Sequence, residues 1–447
     1  MSERSGYSPA VLKLLEKYRA DLFQEVNIKL VDHREISGII LPRPLYGDPD
    51  VLVLKLPNGY NIGIEYKKIE DIAVISPAKR KPLVELAFPH LREDLPLVYM
   101  LSTGGTIASR IDYSTGAVYP FFTAEEIYSM VPELLDLAYI KAETVYSIFS
   151  EDMTPKRWDE LAKRIYEIYR KEAPAGIIVA HGTDTMGYTA AAIAFAVRNL
   201  PGPVIFVGSQ RSSDRPSSDT ALNVICAVKT AVEAPFGESV VVMHGCTSDD
   251  YCLAHRGVKV RKMHTSRRDA FRSVNDIPLA LIRPQQRIKL LTSRYLKRSE
   301  KEPQLLGGFE EKVALIKFYP GMHPEILEFL HEEGYKGIVI EATGLGHVSE
   351  KLLEPVRKMV KDGIPIVITS QCIWGRVNLN VYRRGVELIK AGALPGEDML
   401  PETAFVKLSW VLKRADDIES VYKMMLTNYV YEINPRSEER FYPPVWR

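Results

Sequence analysis

The chain has 447 residues, of which 46% are hydrophobic, and its formal net charge at pH 7 is +1. This length predicts about three domains, and the composition excludes a disordered chain. A charge so close to zero argues against a general polyanion binder but leaves a local basic patch open. We expect no secretory signal and no membrane span, because neither kind of apolar run is seen. The four cysteines form no CxxC pair and are typical of reduced core residues in a cytoplasmic protein.

Residues 1–76 predict a leading helix and a small β-barrel. Apolar residues recur at helical spacing after Ser8-Pro9, and from Glu25 onward the pattern changes to the alternation of short strands. Asn58-Gly59, between two apolar runs, indicates a hairpin turn. Residues 77–95 are rich in charge and proline, which predicts a linker.

Residues 96–286 and 311–447 predict two α/β domains with parallel sheets, because nearly continuous Val/Ile runs alternate with helical stretches. The predicted strands are Leu97–Leu101, Ile140–Ser147, Gly176–Ala180, Pro203–Gly208, Ser239–Met243, Val313–Phe318, Gly337–Ile340 and Ile364–Thr369. The predicted helices include Pro155–Arg170, Met186–Asn199, Thr220–Glu233, Pro401–Leu412 and Asp417–Asn428. The charged, Gly-containing segment 287–310 between these domains predicts a second linker. Ligands of such sheets bind at the carboxyl ends of the strands.

The first candidate loop follows the strand at Leu97–Leu101 and reads Ser102-Thr103-Gly104-Gly105-Thr106-Ile107-Ala108. Adjacent glycines allow a sharp turn and let a small molecule approach the main chain closely. We therefore expect the hydroxyls of Thr103 and Thr106 to point outward at the edge of the sheet.

The second candidate loop, His181-Gly182-Thr183-Asp184-Thr185, follows another buried strand and precedes a helix. An isolated aspartate in this position is most often a helix N-cap, stabilised by the helix dipole. Taken with the first loop, however, Thr106, Thr183 and Asp184 predict two hydroxyls and a carboxylate at one sheet edge. His181 is expected to shape the loop.

Two further stretches carry candidate residues. Lys262 lies in the basic run Val258–Arg268, where a lysine is ordinarily solvated or contacts phosphate. A lysine removed from water beside a threonine can instead act as the base that a threonine nucleophile requires. Ser150-Glu151-Asp152 could hold a polar zwitterion or merely cap the helix predicted from Pro155.

These groups are sufficient for acyl transfer without a metal. A threonine oxygen can attack an amide carbonyl, backbone N–H groups of the glycine loops can stabilise the oxyanion, and water can hydrolyse the acyl-threonine. The sequence has no HExxH or Cys/His ligand spacing and no GxxxxGK[ST] loop, so we expect neither a metal nor a nucleotide in this chain.

The two glycine loops, the Val260-Arg261-Lys262 segment and the Ser150 loop occur in the order and spacing of the L-asparaginase/glutaminase family, which residues 95–447 resemble. The resemblance implies that Thr106 is the nucleophile, with Thr183, Lys262 and Asp184 as a second hydroxyl–lysine–carboxylate unit. It further implies substrate contacts at Ser150, Glu151, Asp184, Gly105 and Gly182, activation of Thr106 by Tyr113, and a contribution from His347 of a second copy. The family often has Gln at Glu151 and Asn at His347.

The N-terminal extension and the segment Gly208–Asp219 resemble the D-subunit family of archaeal glutamyl-tRNA(Gln) amidotransferases. That resemblance implies release of ammonia from glutamine or asparagine, and a homodimer within a heterotetramer. A partner, the E-subunit, would bind tRNA(Gln), use ATP with Mg²⁺, and transfer the ammonia. No cofactor is expected in this chain.

Three alternatives stay open at this point. One is a free-standing cytoplasmic asparaginase, and another is a catalytically silent amino-acid sensor. The third concerns the cations of the basic run and Arg272 just after it, which could contact RNA or the partner: Arg261, Lys262, Arg267, Arg268 and Arg272. The preference between Gln and Asn is not predicted.

Overall fold

A computed structural model describes residues 6–41, 48–56, 61–76, 92–105, 109–111, 118–120, 123–211 and 218–442. The described residues up to 76, with 109–111, 118–120, 211 and 218, form one compact unit, and the others form a second unit.

The strands in chain order are β1 (Glu25–Leu30), β2 (Glu35–Ile40), β3 (Val51–Lys55), β4 (Asn61–Glu65), β5 (Ile69–Ser76), β6 (Leu97–Ser102), β7 (Ser109–Ile111), β8 (Val118–Pro120), β9 (Tyr139–Thr144), β10 (Gly176–Ala180), β11 (Val197–Arg198), β12 (Val204–Val207), β13 (Ser239–His244), β14 (Cys252–Arg256), β15 (Val260–Lys262), β16 (Phe271–Ser273), β17 (Ala280–Ile282), β18 (Lys289–Leu290), β19 (Gln304–Leu305), β20 (Val313–Lys317), β21 (Gly337–Ala342), β22 (Ile366–Ser370) and β23 (Leu394–Pro395). The α-helices are α1 (Pro9–Lys17), α2 (Ala124–Met130), α3 (Pro155–Glu172), α4 (Met186–Ala196), α5 (Thr220–Glu233), α6 (Glu325–Glu332), α7 (Leu353–Lys361), α8 (Arg383–Lys390), α9 (Pro401–Val411) and α10 (Ile418–Leu426).

The first unit contains a small antiparallel sheet with strand order β4-β3-β2-β1-β5, which is consistent with the small β-barrel predicted near the N-terminus. Every second residue of β1 is buried (Val26, Ile28 and Leu30), as period-2 alternation predicts for a half-buried strand. Helix α1 begins after Ser8, whose hydroxyl accepts a hydrogen bond from the Val11 amide. The predicted hairpin turn lies outside the described residues, although the strands on either side of it, β3 and β4, pair antiparallel.

The second unit is built on a large mixed sheet with strand order β18-β17-β14-β13-β12-β10-β6-β9. Its parallel part consists of β9, β6, β10, β12 and β13, and every residue of β10, β12 and β13 is buried. The remaining strands β14, β17 and β18 run antiparallel, which the sequence did not predict. Residues 245–251 between β13 and β14 are too few for a crossover helix, so the chain turns back as a hairpin.

A smaller parallel sheet, β20-β21-β22-β23, forms the C-terminal part of the second unit. The α/β fold class with two parallel regions after a small β domain is therefore confirmed. Helix α4 is apolar on nearly all sides because it packs between the large sheet and α9, where Phe195 stacks on Trp410 at 5.6 Å.

Residues 287–310, predicted as a linker, pack against the second unit. β18 joins the large sheet, β19 pairs with β11, and the Trp410 indole donates to the Leu306 carbonyl at 2.8 Å. The Arg298 guanidinium donates to the carbonyls of Ala175, Ala231 and Ala234. The domain boundaries drawn at this segment stay a prediction. No described helix is long and apolar enough to cross a membrane.

Candidate active site

Three loops converge at the carboxyl edge of the large sheet. β6 lies between β9 and β10, and Ser102 at its end is level with Thr144 and Ala180 on the neighbouring strands. The chains leaving these strands therefore start side by side, where parallel sheets bind their ligands.

Glycine main chains allow these loops to touch. A Cβ on Gly105 would lie 2.7 Å from the amide nitrogen of Gly182, and a Cβ on Gly182 would lie 2.8 Å from Cβ of Ser150. Gly104 and Gly105 also have φ of +108° and +89°, which favour glycine. A side chain at either position of contact would push the loops apart.

Thr103 differs from its prediction. Its side chain is buried, and its hydroxyl donates to the Ala180 carbonyl at 3.1 Å, so it points into the sheet edge and not outward. The hydroxyl thereby fastens the end of β6 to β10, because a buried hydroxyl requires a hydrogen-bond partner. Thr103 is structural, and the prediction that both threonine hydroxyls of this loop face outward is wrong for this one.

Lys262, Thr183 and Asp184 are brought together by the short ribbon β15–β16. The ammonium of Lys262 lies 2.9 Å from Thr183 Oγ1 and 2.8 Å from Asp184 Oδ1. The Lys262 side chain is only 13% exposed, whereas that of Asp184 is 66% exposed. The lysine is therefore not an ordinary solvated surface cation, and it joins a hydroxyl to a carboxylate at the open edge of the sheet.

Asp184 does not act as the N-cap of α4. The N-cap is Thr185, whose hydroxyl instead donates to the Ser150 carbonyl at 2.6 Å. The carboxylate is thus free of the capping role that an isolated aspartate at this place would ordinarily have, and its partner is Lys262.

The Ser150 loop lies directly beside the second glycine loop. The Ser150 side chain is buried, and its hydroxyl donates to Glu151 Oε2 at 3.0 Å. The capping alternative for this loop is not realised, since Thr154 caps α3 by accepting from the Arg157 amide. Ser150 and Glu151 therefore present a hydroxyl–carboxylate pair next to Gly182.

His181 is buried behind the second loop. Its ring Nδ1 lies 2.6 Å from the Gly182 carbonyl, and burial lowers the pKa of the imidazole to about 4. The ring is therefore neutral near pH 7 and donates from Nδ1, which agrees with the loop-shaping role expected for it.

The remaining candidate residues are placed differently. Thr106 and Tyr113 lie outside the described residues. His347 is on a turn that follows β21, where its carbonyl accepts from the Thr343 hydroxyl and its ring contacts Tyr382 at 5.4 Å. These contacts lie within the C-terminal part of the chain. A role of His347 in the site of a second copy stays a prediction.

The arginines of the basic run have acidic partners within the chain. Arg261 pairs with Glu402 at 3.1 Å, and Arg268 pairs with Asp249 at 3.0 Å. Arg267 and Arg272 both pair with Asp269, at 2.8 and 2.6 Å. This internal neutralisation disfavours the interpretation of the run as a phosphate-binding surface.

Sequence reasoning missed a buried support beneath the second loop. Asp219 is fully buried and accepts from the Gln210 amide, while Asn223 donates to the Gly208 carbonyl at 3.0 Å. A Cβ on Gly208 would lie 2.7 Å from Thr183 Cγ2, so the main chain of Gly208 packs directly against the Thr183 side chain. By holding Gly208, Asn223 therefore fixes the surface on which Thr183 packs. The only signal was the polar segment Gly208–Asp219, which by itself does not reveal what its side chains hold.

Within the ranges that the structure describes, no group of three His, Cys, Asp or Glu residues is arranged to hold a metal ion. The site itself presents a hydroxyl, an amine and carboxylates beside two glycine turns, which suits acyl transfer by nucleophilic and acid–base chemistry.

The fold and this arrangement define an asparaginase-like α/β protein. Residues 97–295 match the sequence model described as Asparaginase, N-terminal, and residues 312–425 match the Glutaminase/Asparaginase C-terminal domain. The structure resembles the thermostable L-asparaginase from Thermococcus kodakarensis, with a TM-score of 0.69 and 28% identity over 76% of this chain and 99% of that one. It also resembles L-asparaginase I from Vibrio cholerae, with a TM-score of 0.67 and 28% identity over 76% of this chain and 99% of that one.

Residues 20–75 match the GatD N-terminal domain. The chain is 54% identical to the D-subunit of glutamyl-tRNA(Gln) amidotransferase from Thermofilum pendens over 98% of both chains. It is 56% identical to the D-subunit from Pyrococcus furiosus over 90% of this chain and 91% of that one. The chain belongs to the D-subunit family of glutamyl-tRNA(Gln) amidotransferases, and both resemblances drawn from the motifs are confirmed.

Proposed function

We propose that this chain is the ammonia-releasing subunit of a tRNA-dependent amidotransferase. It hydrolyses the side-chain amide of glutamine or asparagine through an acyl-threonine intermediate on Thr106. A partner, the E-subunit, binds tRNA(Gln), uses ATP with Mg²⁺, and transfers the ammonia to glutamyl-tRNA(Gln). The chain works in the cytoplasm as a homodimer within a heterotetramer and requires no cofactor of its own.

The observation that carries this proposal is the ammonium of Lys262 lying 2.9 Å from Thr183 Oγ1 and 2.8 Å from Asp184 Oδ1. A lysine in this position can pass a proton through the threonine hydroxyl while the carboxylate fixes its direction. Proton transfer from a positioned side chain typically contributes about 10²- to 10⁴-fold to a rate.

The proposed reaction has two steps. In the first, the Thr106 hydroxyl gives its proton to the Thr183–Lys262 pair as its Oγ bonds to the amide carbon, the C–N bond breaks, and the pair passes a proton to the departing nitrogen, which leaves as ammonia. In the second, water cleaves the ester, releasing the amino acid's side-chain carboxylate and returning a proton to Thr106 Oγ. Ser150, Glu151 and Asp184 hold the α-amino and α-carboxylate groups of the substrate.

Backbone N–H groups of the glycine loops are the proposed donors to the oxyanion. The Gly104 amide does not serve here, because it already donates to Ser102 Oγ at 3.2 Å. The donors must therefore come from the part of the first loop after Gly104 or from the Gly182–Thr183 turn.

The amidotransferase role is preferred to a free-standing asparaginase because of residues 20–75, which match a domain of the D-subunit family. A catalytically silent sensor is disfavoured by the intact Thr183–Lys262–Asp184 contacts, since recognition of an amino acid alone needs no such proton path.

One experiment separates these functions. Ammonia release from glutamine is measured for the chain alone, with its partner subunit, and with the partner plus glutamyl-tRNA(Gln). We expect release that rises when partner and charged tRNA are present. Strong release that neither addition changes would favour the free-standing asparaginase, and no release in any mixture would favour the sensor.

A further inference from the structure

A buried polar cluster lies at the base of the ribbon that carries Lys262, and Asp398 is its centre. The Asp398 side chain is 4% exposed and that of Lys259 is fully buried, with their charged atoms 2.8 Å apart. The Asp398 carboxylate also accepts from the main-chain and side-chain nitrogens of Asn434, both at 2.8 Å. A pair so completely buried requires good geometry and further hydrogen bonds to offset the loss of water, and it has both.

The main-chain carbonyl of Asp398 holds both strands of the ribbon at its open end. It accepts from Lys259 Nζ at 3.0 Å, just before β15, and from Asn275 Nδ2 at 3.1 Å, just after β16. Because β15 and β16 form a ribbon of only three residue pairs, fixing both strands at the open end restricts the position of Lys262, which lies only two residues further along β15 than Val260.

Two contacts from the start of α9 hold the same strand. The Thr403 hydroxyl donates to the Val258 carbonyl at 2.9 Å, and Glu402 pairs with Arg261 at 3.1 Å. The segment from Val258 to Arg261 is thus bound to residues 398–403 of the C-terminal region at three places. The next residue, Lys262, is the one that reaches Thr183 and Asp184.

We infer that Asp398 is a positioning residue for Lys262, acting through Lys259 and the ribbon, so that the C-terminal region sets the position of the proposed catalytic amine. Asp398 has no described contact with Thr183 or Asp184 and takes no part in the chemistry. This inference rests on the proposed function for its kinetic consequence, whereas the tether itself can be tested without any activity.

The test is the double variant Lys259→Met with Asp398→Asn, which removes both buried charges and keeps side-chain size close to the original. Replacing both partners avoids leaving one charge buried and unpaired, the change that most destabilises such pairs. The matched control is Lys407→Met with Glu432→Gln. That pair is also fully buried in the C-terminal region, at 2.6 Å, but neither of its side chains makes a described hydrogen bond or ion pair with the ribbon.

Two readouts are made on the full chain with its partner subunit: hydrogen exchange of the amides in 258–275, and the kinetics of ammonia release. In the test variant we expect ribbon amides to exchange about tenfold faster. We also expect kcat to fall about 10²-fold while KM changes less than about threefold, because a misplaced catalytic group costs rate more than binding. The control variant is expected to match the wild type in both readouts.

A folded test variant with wild-type ribbon exchange and wild-type kcat would overturn the inference. If the test variant does not fold, Thr403→Val replaces it, because this change removes one hydrogen bond from the ribbon and no charge. Smaller changes in the same direction are then expected. If neither the amide exchange nor kcat changes in this variant, the inference is overturned. A wild type that releases no ammonia would refute the proposed function instead, and the exchange readout would still decide whether the tether exists.

Discussion

Gly105 lies against Gly182 so closely that a Cβ on Gly105 would come within 2.7 Å of the Gly182 amide nitrogen. This contact joins the loop that contains Thr106 to the loop that contains Thr183. The two proposed reacting threonines are each the next residue in sequence after one of these glycines. The distance between the two loops is thus set by main chain against main chain, which side-chain rotation cannot relax.

Gly105→Ala is therefore expected to lower kcat about 10²-fold, because the added methyl group forces the loops apart. The measurement is steady-state ammonia release. Gly321→Ala is the matched control, since Gly321 has φ of +85° against +89° for Gly105 and has no atom within 4 Å of the position of a Cβ. Both variants carry the left-handed strain of about 1–2 kcal/mol, but only Gly105→Ala carries the steric contact. Equal activity in the two variants would contradict this account.

Lys262→Met is expected to reduce kcat at least about 10³-fold, because it removes the proton path through Thr183. Thermal unfolding should change little, as the ammonium is paired with only one exposed carboxylate and one hydroxyl. Lys229→Met serves as the control, because Lys229 is also mostly buried and paired with a carboxylate, that of Glu233 within α5. Retained turnover in Lys262→Met would remove the lysine from the mechanism.

Glu151→Ala is expected to raise KM for glutamine about tenfold and to change kcat less, because a charge-assisted contact to a bound zwitterion contributes about 1.5–3 kcal/mol. Glu151→Gln should have a smaller effect, since it retains an acceptor for the Ser150 hydroxyl. Both constants are obtained from initial rates of ammonia release over a range of glutamine concentrations. An unchanged KM in Glu151→Ala would place the substrate's α-groups elsewhere.

Two buried histidines make the native state sensitive to acid. Burial lowers the pKa of His181 to about 4, and burial with the nearby charge of Arg272 lowers the pKa of His255 to about 3. Below pH 6.5 these histidines become protonated in the unfolded chain but stay neutral in the native state. The free energy of unfolding is therefore highest above pH 6.5 and decreases as the pH falls toward the native pKa values. For each histidine the loss between pH 6.5 and 4 is about 3 kcal/mol.

His255→Asn tests this at a residue that lies outside the proposed catalytic groups. Denaturant unfolding at pH 7 and at pH 4 gives the loss for each protein, and we expect the variant to lose about 3 kcal/mol less than the wild type. An equal loss in both proteins would show that His255 already titrates normally in the native state.

The central parallel strands β10, β12 and β13 were predictable because both of their faces are buried and their sequences are nearly continuous apolar runs; β10, Gly176–Ala180, was predicted residue for residue. The antiparallel strands were not predictable, since β14 contains His255 and Arg256, polar residues that argue against a core strand. Their burial depends on partners distant in sequence, such as Glu238 for Arg256.

The candidate site likewise contains some residues that local sequence reveals and others that depend on partners distant in sequence. Thr183 and Asp184 could be found because they follow a buried strand and a glycine, a local pattern. Lys259 could not be distinguished from its solvated neighbours in the basic run, because the residue that buries and neutralises it, Asp398, lies 139 positions away. Local motifs thus indicated the proposed reacting groups, whereas the groups that hold them in place required the fold.

The most direct test of the central claim is to find the covalent intermediate. The chain is mixed with glutamine in the presence of its partner subunit, quenched in acid within one turnover, digested, and analysed by mass spectrometry. We predict a glutamyl ester on the peptide that contains Thr106, and its absence, together with loss of ammonia release, in a folded Thr106→Val variant. A glutamyl ester on Thr183, or full ammonia release by Thr106→Val, would contradict the account.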